Sequence, residues 1–223
     1  MARIVVKCGG AVFRDVAAEI TALADGGNEV CVVHGAGPQI TEEMARRGLE
    51  VAFVRGRRVT TAAALEVVRE SFAAVNEALC RALGDRAVGL MGDELGLEAR
   101  PVPELGLVGE AVPSAPEPLG TLLAAGRIPV VAPLARGPLN VNGDEAAAAL
   151  AIGLRADRLV FFTDVPGVLV GGAVTEELPV DAAEGLLGRG GLEGGIVPKL
   201  QAAVRAARNG IDTRIGRTVV RPV

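Results

Sequence analysis

The sequence is short of several residue types, and each shortage weighs against a class of function. Among 223 residues there is one histidine, His34, and three cysteines, Cys8, Cys31 and Cys80. The cysteines are odd in number, far apart and without metal-ligand spacing, which argues against a zinc site and for small buried hydrophobes in a reducing compartment. No apolar run approaches the ~18 residues of a membrane helix. The opening MARIVVKCGG sets Arg3 and Lys7 inside the first apolar run and lacks the h-region of a signal peptide. The expectation is a cytoplasmic protein without a membrane partner. Acidic residues outnumber basic ones, 27 to 23, for a net charge of −4. That leaves little electrostatic support for a nucleic-acid partner.

The most informative shortage is lysine. Only Lys7 and Lys199 are lysine; every other basic residue of the 23 is arginine. Both lysines lie beside a glycine-bearing turn. An ammonium is a compact point charge on a flexible stem, whereas a guanidinium is a broad planar fork. In a crowded site that must set one charge against a phosphate, the two are not interchangeable.

Strand-like and helix-like runs alternate along the chain. Buried strands are expected at Arg3–Cys8, Glu29–Val33, Ala87–Gly92, Ile128–Pro133 and Arg158–Thr163. Helical patterns fall near 15–25, 38–47, 61–83, 116–126, 144–155 and 198–209. The alternation predicts an α/β fold with a mostly parallel sheet between helices, whose ligands bind at the carboxyl ends of the strands. Residues 97–113 and 168–180 read instead as short antiparallel hairpins, the second with Gly171-Gly172 at its tip. They are candidates for edge ribbons or flaps. Nothing divides the chain, so residues 1–223 are expected to form a single domain. Leu65, Val68, Phe72, Val75, Leu79 and Leu83 make an apolar stripe on helix 61–83. Core packing is its default reading and a subunit interface the second.

Five elements carry chemistry. Lys7-Cys8-Gly9-Gly10 follows the first strand, where glycines let the backbone approach a ligand. Val33-His34-Gly35-Ala36-Gly37-Pro38 joins a strand to a helix and would expose backbone N–H groups at its N-terminus. It is neither a P-loop nor a dinucleotide fingerprint, because the required spacing and third glycine are missing. His34 is expected to fix this loop by hydrogen bonding, since a carboxylate acceptor is ionised at neutral pH and needs no general base. Asn140-Val141-Asn142-Gly143-Asp144 opens an alanine-rich helix, with Asp144 either its cap or a carboxylate holding two ammonium groups. Thr163-Asp164-Val165-Pro166-Gly167 ends a strand. Gly194-Gly195-Ile196-Val197-Pro198-Lys199 enters the last long helix.

Taken in order, K-x-G-G, V-H-G-x-G-P, G-x-R-V-T (Gly56 to Thr60), N-x-N-x-D, T-D-V-x-G and G-G-x-x-P-K resemble the acetylglutamate kinases of the amino-acid kinase family, over nearly the whole chain. The resemblance implies a three-layer α/β/α sandwich around an eight-stranded, mainly parallel sheet. It places the acyl acceptor in the N-terminal part and ATP, with Mg²⁺, in the C-terminal part. The reaction implied is transfer of the γ-phosphoryl group to the side-chain carboxylate of N-acetyl-L-glutamate, a step of arginine synthesis. Lys7 and Lys199 match lysines that embrace the transferring group, and Asp144 the aspartate that orients both. Gly35, Ala36 and Gly37 fall on the acyl-substrate side, with Arg58 matching the clamp on the α-carboxylate and Asn140 a residue beside it. Gly9, Gly10, Asp164 and Gly195 fall on the phosphate and nucleotide side. Guanidinium suits the clamp because it binds carboxylates bidentately; the other four arginines of the 46–58 stretch are expected to be solvated.

The sequence departs from the family pattern at Ala36, where glycine is usual, at Gly143, where alanine is common, and in a short tail expected to lack a late helix. The first strand starts about two residues after Met1, which leaves no room for the N-terminal helix of arginine-inhibited, hexameric members. A homodimer insensitive to arginine is expected. Two other readings stay open: a kinase acting on a carrier-linked glutamate or aminoadipate, and a non-catalytic nucleotide or amino-acid sensor. A nicotinamide dehydrogenase is disfavoured by the missing fingerprint.

Overall fold

The computed structural model describes residues 1–9, 13–192 and 194–222, the side chains of residues 13–15 excepted. In chain order it runs β1 (Arg3–Cys8), α1 (Phe13–Asp25), β2 (Glu29–His34), α2 (Gly37–Arg46), β3 (Phe53–Val54), β4 (Arg57–Arg58), α3 (Ala62–Leu83), β5 (Ala87–Met91) and α4 (Gly92–Leu95). It continues with β6 (Ala99–Pro101), β7 (Val108–Ala111), α5 (Glu117–Ala124), β8 (Ile128–Ala132), β9 (Leu134–Ala135), β10 (Leu139–Val141) and α6 (Gly143–Gly153). The last part is β11 (Arg158–Phe162), β12 (Leu169–Val170), β13 (Ala173–Val174), β14 (Glu177–Pro179), α7 (Val180–Arg189), α8 (Ile196–Ala207), β15 (Asp212–Ile215) and β16 (Thr218–Arg221).

Eight strands form the central sheet in the order β14-β16-β15-β11-β1-β2-β8-β5. Every pairing in it is parallel except the β15–β16 hairpin. The sequence explains the layering. Successive residues of a strand face opposite sides, and in β1 and β2 both sides are apolar, as a doubly covered parallel sheet requires. Ile4, Val6, Val30 and Val32 pack with Val16 and Ile20 of α1 and Leu79 and Leu83 of α3. Val5, Cys31 and Val33 pack on the other face with α5, α6 and α8. Toward the far edge, the first of these layers leaves a groove of about 860 Å³ along β11, β15 and β16.

Helix α6 is rich in alanine, and Ala146 through Ala149 are fully buried. Small side chains let it lie between the sheet and α8, where Ala202, Ala203 and Ala206 answer them. The first turns of both helices are thereby drawn to the carboxyl ends of β1 and β2.

The expected strands and helices are present within one to three residues of their sequence-based bounds, and both hairpins form. Several elements have no clear signal in the sequence, among them α4, β9, β10 and β14. Two glycines, Gly185 and Gly188, hid the helix α7, the β3–β4 hairpin lay under a run of arginines, and the tail forms the β15–β16 hairpin. The 97–113 ribbon is more than a flap: β7 pairs in parallel with β10 and carries Asn140 into a four-stranded sheet. The stripe on α3 is core, for all six of its residues are buried within the one chain.

Candidate active site

Parallel strands end on one edge of the sheet, and β1 delivers Lys7 there, its side chain buried against α6. Lys7 Nζ lies 2.8 Å from Asp144 Oδ1, and Lys199 Nζ lies 3.5 Å from Asp144 Oδ2. One carboxylate thus separates the two lysines of the chain, and the trio carries a net positive charge. Lys199 stands in the first turn of α8, where the helix dipole disfavours a cation. Burial pushes its ammonium below the usual lysine range, the Asp144 carboxylate opposes this, and the charge of Lys7 adds to the depression. An arriving anion would relieve all of these strains at once.

Asp144 does not cap α6. The cap is Asn142, whose Oδ1 accepts from the backbone N–H groups of Asp144 at 2.8 Å and Glu145 at 3.2 Å. Asparagine is among the best N-cap residues, so the signal was present two positions earlier than it was sought. Asp144 is thereby free to face the lysines. Gly143 has ordinary space around it: a Cβ there would sit 3.4 Å from Lys7 Cε. Cys8 is buried, which pushes its thiol up to about 12 and keeps it inert beside Lys7. Gly9 follows β1 directly; Gly10 lies outside the described residues.

His34 ends β2 and is fully buried. Its Nε2 lies 3.1 Å from Asn76 Nδ2 and its Nδ1 3.4 Å from the Gly35 carbonyl. Since the Asn76 amide donates, Nε2 accepts and the proton sits on Nδ1. Burial brings its pKa down to about 4, so the ring is neutral. It is a fastener of this turn, as its position suggested. Gly35 donates its own N–H to the Cys8 carbonyl at 2.9 Å, so that amide is already engaged within the protein. Ala36 and Gly37 stand at the start of α2, where backbone N–H groups have no partner within the helix. Ala36, at φ −145° and ψ 29°, has a backbone that needs no glycine.

Arg58 is buried beneath the β3–β4 hairpin. It donates to Thr41 Oγ1 at 2.8 Å, to the Gly37 carbonyl at 3.1 Å and to Met44 Sδ at 3.5 Å, and its guanidinium lies 4.6 Å from the ring centre of Phe53. Among the described residues no carboxylate pairs with it, although burial lowers its pKa. A desolvated cation without a counter-charge is costly, which marks the place for an anion from outside. Asn140 reaches it indirectly: Nδ2 donates to Thr60 Oγ1 at 3.0 Å, and that hydroxyl donates to the Arg58 carbonyl at 2.8 Å.

Of the four neighbouring arginines, Arg55 is exposed as expected, whereas the other three are paired with acids. Arg46 and Arg47 both bind Glu43, and Arg47 also binds Glu70. Arg57 is half-buried and holds Glu145 with two hydrogen bonds of 2.8 and 3.1 Å. Among the described residues, Arg58 alone of these five is buried without an acid beside it.

On the far side of the lysines, the Thr163–Gly167 loop, the β12–β13 hairpin and the start of α8 enclose a cleft of about 760 Å³ that Lys199, Asp164 and Gly195 line. Asp164 accepts from Thr163 Oγ1 at 3.2 Å, and the Gly195 carbonyl lies 3.4 Å from Lys199 Nζ. The tail braces this wall. Gly216 turns the last hairpin so close to it that a Cβ would meet the Val165 and Pro166 carbonyls at 2.6 Å, and Arg217 donates its N–H to Pro166.

Among the described residues no group of three or more histidine, cysteine or acidic side chains could hold a metal, and no helix is long and apolar enough to cross a membrane.

The model of the amino acid kinase family matches residues 2–217. An acetylglutamate kinase of Rubrobacter xylanophilus is 43% identical over 96% of this chain and 88% of its own length. One from Cereibacter sphaeroides is 40% identical over 96% and 80%. Among solved structures, the protein smu.665 of Streptococcus mutans superposes with a TM-score of 0.84 at 25% identity, covering 99% of this chain and 97% of that one. The Giardia lamblia carbamate kinase bound to AMP-PNP shares the fold at 16% identity, with a TM-score of 0.72 over 98% and 92%.

Proposed function

From the premise that this chain belongs to the amino acid kinase family, we propose that it phosphorylates the side-chain carboxylate of N-acetyl-L-glutamate with ATP. The observation that carries this reading is the pairing of two unlike cationic stations. Arg58 is a buried guanidinium with no acid paired to it among the described residues, and Lys7–Asp144–Lys199 is a charge cluster biased toward an anion. A dicarboxylate suits such a pair: one end is held by the fork of Arg58, and the other is presented to a phosphoryl group.

The acceptor carboxylate is ionised at neutral pH and needs no base, which agrees with a buried, neutral His34. Phosphoryl transfer then requires alignment and neutralisation of charge on the equatorial oxygens. Lys7 reaches them from the acyl side and Lys199 from the nucleotide side, while Asp144 holds both ammonium groups at a fixed spacing. The cleft between Asp164, Gly195 and Lys199 takes the nucleotide. Mg²⁺ brought in on the nucleotide's phosphates would supply further neutralisation.

A carrier-linked acceptor is less favoured, because most arginines that could meet an acidic carrier are already paired with Glu43, Glu70 and Glu145. A silent sensor would have no use for both lysines around one carboxylate. The proposed assembly is a homodimer. Its interface would not use the stripe on α3, which is core; β5, the terminal strand of the sheet, offers an open pairing edge. Light scattering tests this.

The activity is tested by trapping the acyl phosphate with hydroxylamine. Acetylglutamate with ATP is expected to give hydroxamate and ADP in equal amounts, and glutamate or aspartate far less. Hydroxamate from another carboxylate but not from acetylglutamate would reassign the substrate, and nucleotide binding without ADP would support the sensor.

A further inference from the structure

Arg57 and Arg58 are adjacent on β4, so their side chains leave the hairpin on opposite sides. Arg58 turns inward to α2. Arg57 turns toward α6 and grips Glu145 with a two-pronged bond, Nε to Oε1 at 2.8 Å and Nη2 to Oε2 at 3.1 Å. Both side chains are only about a fifth exposed, 22% and 21%, so solvent screens the pair less than an open surface pair. Glu110 Oε2 stands 3.9 Å from Arg57 Nη2 as a more distant partner.

Glu145 directly follows Asp144, and a second tie runs beside the first. Asn142 caps Asp144 and Glu145 through Oδ1 while its Nδ2 donates to the Gly56 carbonyl at the hairpin tip, 3.1 Å away. The tip is a two-residue turn with φ of 49° at Arg55 and 77° at Gly56, the positive values that match the twist of a tight hairpin. A Cβ on Gly56 would lie 3.7 Å from the ring of Pro198, the residue before Lys199. One small hairpin therefore holds Arg58 on one side and abuts the first turns of α6 and α8 on the other.

We propose that Arg57 is a positioning residue, clasping the hairpin to Glu145 of α6 so that a carboxylate seated on Arg58 is held in register with Asp144 and the two lysines. The inference rests on the phosphotransfer reading above. Without the clasp, the substrate still binds, but its reacting end wanders from the phosphoryl group. Small misplacements of a reacting atom are expensive: about 1 Å can cost ~10²-fold in rate.

The kinetic test is a double-mutant cycle with Arg57→Gln, Glu145→Gln and both together. Each single variant is expected to lower kcat by about tenfold and raise the acetylglutamate KM a few-fold, with the ATP KM within twofold. The double variant should be no worse than either single one, and Arg57→Lys should recover part of kcat. Multiplying losses, a change confined to ATP, or kinetics within twofold of the parent would overturn the proposal.

A second readout does not depend on turnover. The chain has no tryptophan, so Phe53→Trp places a single indole on β3, where Phe53 is 56% exposed. Arg57→Gln in that background should lower the fluorescence anisotropy of the indole at unchanged melting temperature. Equal anisotropy would show that Arg57 does not hold the hairpin. Failure of the parent protein to use acetylglutamate would overturn the functional reading alone, because anisotropy still decides the clasp.

Discussion

On the proposed acyl side of the cleft the polar side chains are already locked by the protein; on the proposed nucleotide side the lining is mostly turns. Arg58, Asn140 and His34 are buried and each has its geometry fixed by hydrogen bonds to other elements. Across the lysines, the lining alternates glycine with small or aliphatic residues, and Leu169 and Val170 stand about half exposed. The contrast follows from what each half must recognise. A small acid offers a few charged atoms that only placed side chains can tell apart, since specificity depends on leaving no buried polar group unpaired. A nucleotide offers phosphates, which backbone N–H groups cradle, and a flat base, which apolar surface covers.

The seam between the halves should show the largest effect. Lys7→Arg and Lys199→Arg keep the charge but exchange a point for a fork in a crowded site. Each is expected to lower kcat by ~10²–10³, the loss typical of one preorganised donor, with the melting temperature little changed. Near-normal turnover in both would break the comparison at its centre, since neither half would then need a compact ammonium.

The built character of the acyl half can be read in stability as well. The His34 pKa is about 4 in the fold against an ordinary 6.5. Between those values the unfolded chain binds a proton that the folded chain refuses, so stability is fully present above pH ~6.5 and is lost as pH falls toward 4. The loss attributable to this ring is at most about 3 kcal/mol, at 1.36 kcal/mol per unit. Urea unfolding at about pH 7 and about pH 4.5 measures it. His34→Gln should weaken that pH dependence by most of this amount. An identical acid loss in the variant would mean that another group carries it.

Arg58→Ala comes next. A charged hydrogen bond contributes about 1.5–3 kcal/mol, so the acetylglutamate KM should rise by roughly 10–100-fold with the ATP KM nearly unchanged. Initial rates against each substrate separate the two. A shift in the ATP KM instead would reverse the assignment of the halves.

The same contrast explains what the sequence disclosed. The grouping of Lys7, Asp144 and Lys199 was legible because composition isolates the lysines and a glycine-bearing turn lies beside each of the three. Arg58 was legible only through the resemblance, for it is one of five arginines in thirteen residues, and no pattern says which lacks an acid. The roles of Arg57 and Asn142 depend on Glu145 and Gly56, 88 and 86 positions away in the chain, contacts that local spacing cannot report. The bond made by the Gly35 amide is hidden for the same reason, since its acceptor lies on β1. Helix α7 was lost to two glycines whose propensity cost tertiary packing overrides.

The smallest effect expected is on the nucleotide side, and it tests whether that half recognises by surface rather than by placed groups. Leu169 lines the cleft at the start of the β12–β13 hairpin and is 50% exposed, an unusual place for a leucine unless something covers it. If a base does, covering some 40 Å² of apolar surface contributes about 1 kcal/mol at ~25 cal/mol per Å². Leu169→Ala should therefore raise the ATP KM by about three- to fivefold. No core is disturbed, so the melting temperature should stay within about a degree. The acetylglutamate KM should not move, because no hydrogen bond links this hairpin to Arg58 or Asn140 among the described residues. A nucleotide-side change that altered the acetylglutamate KM as strongly as the ATP KM would show that the halves are not separable, and the division between built side chains and open turns would have to be redrawn around the hairpins.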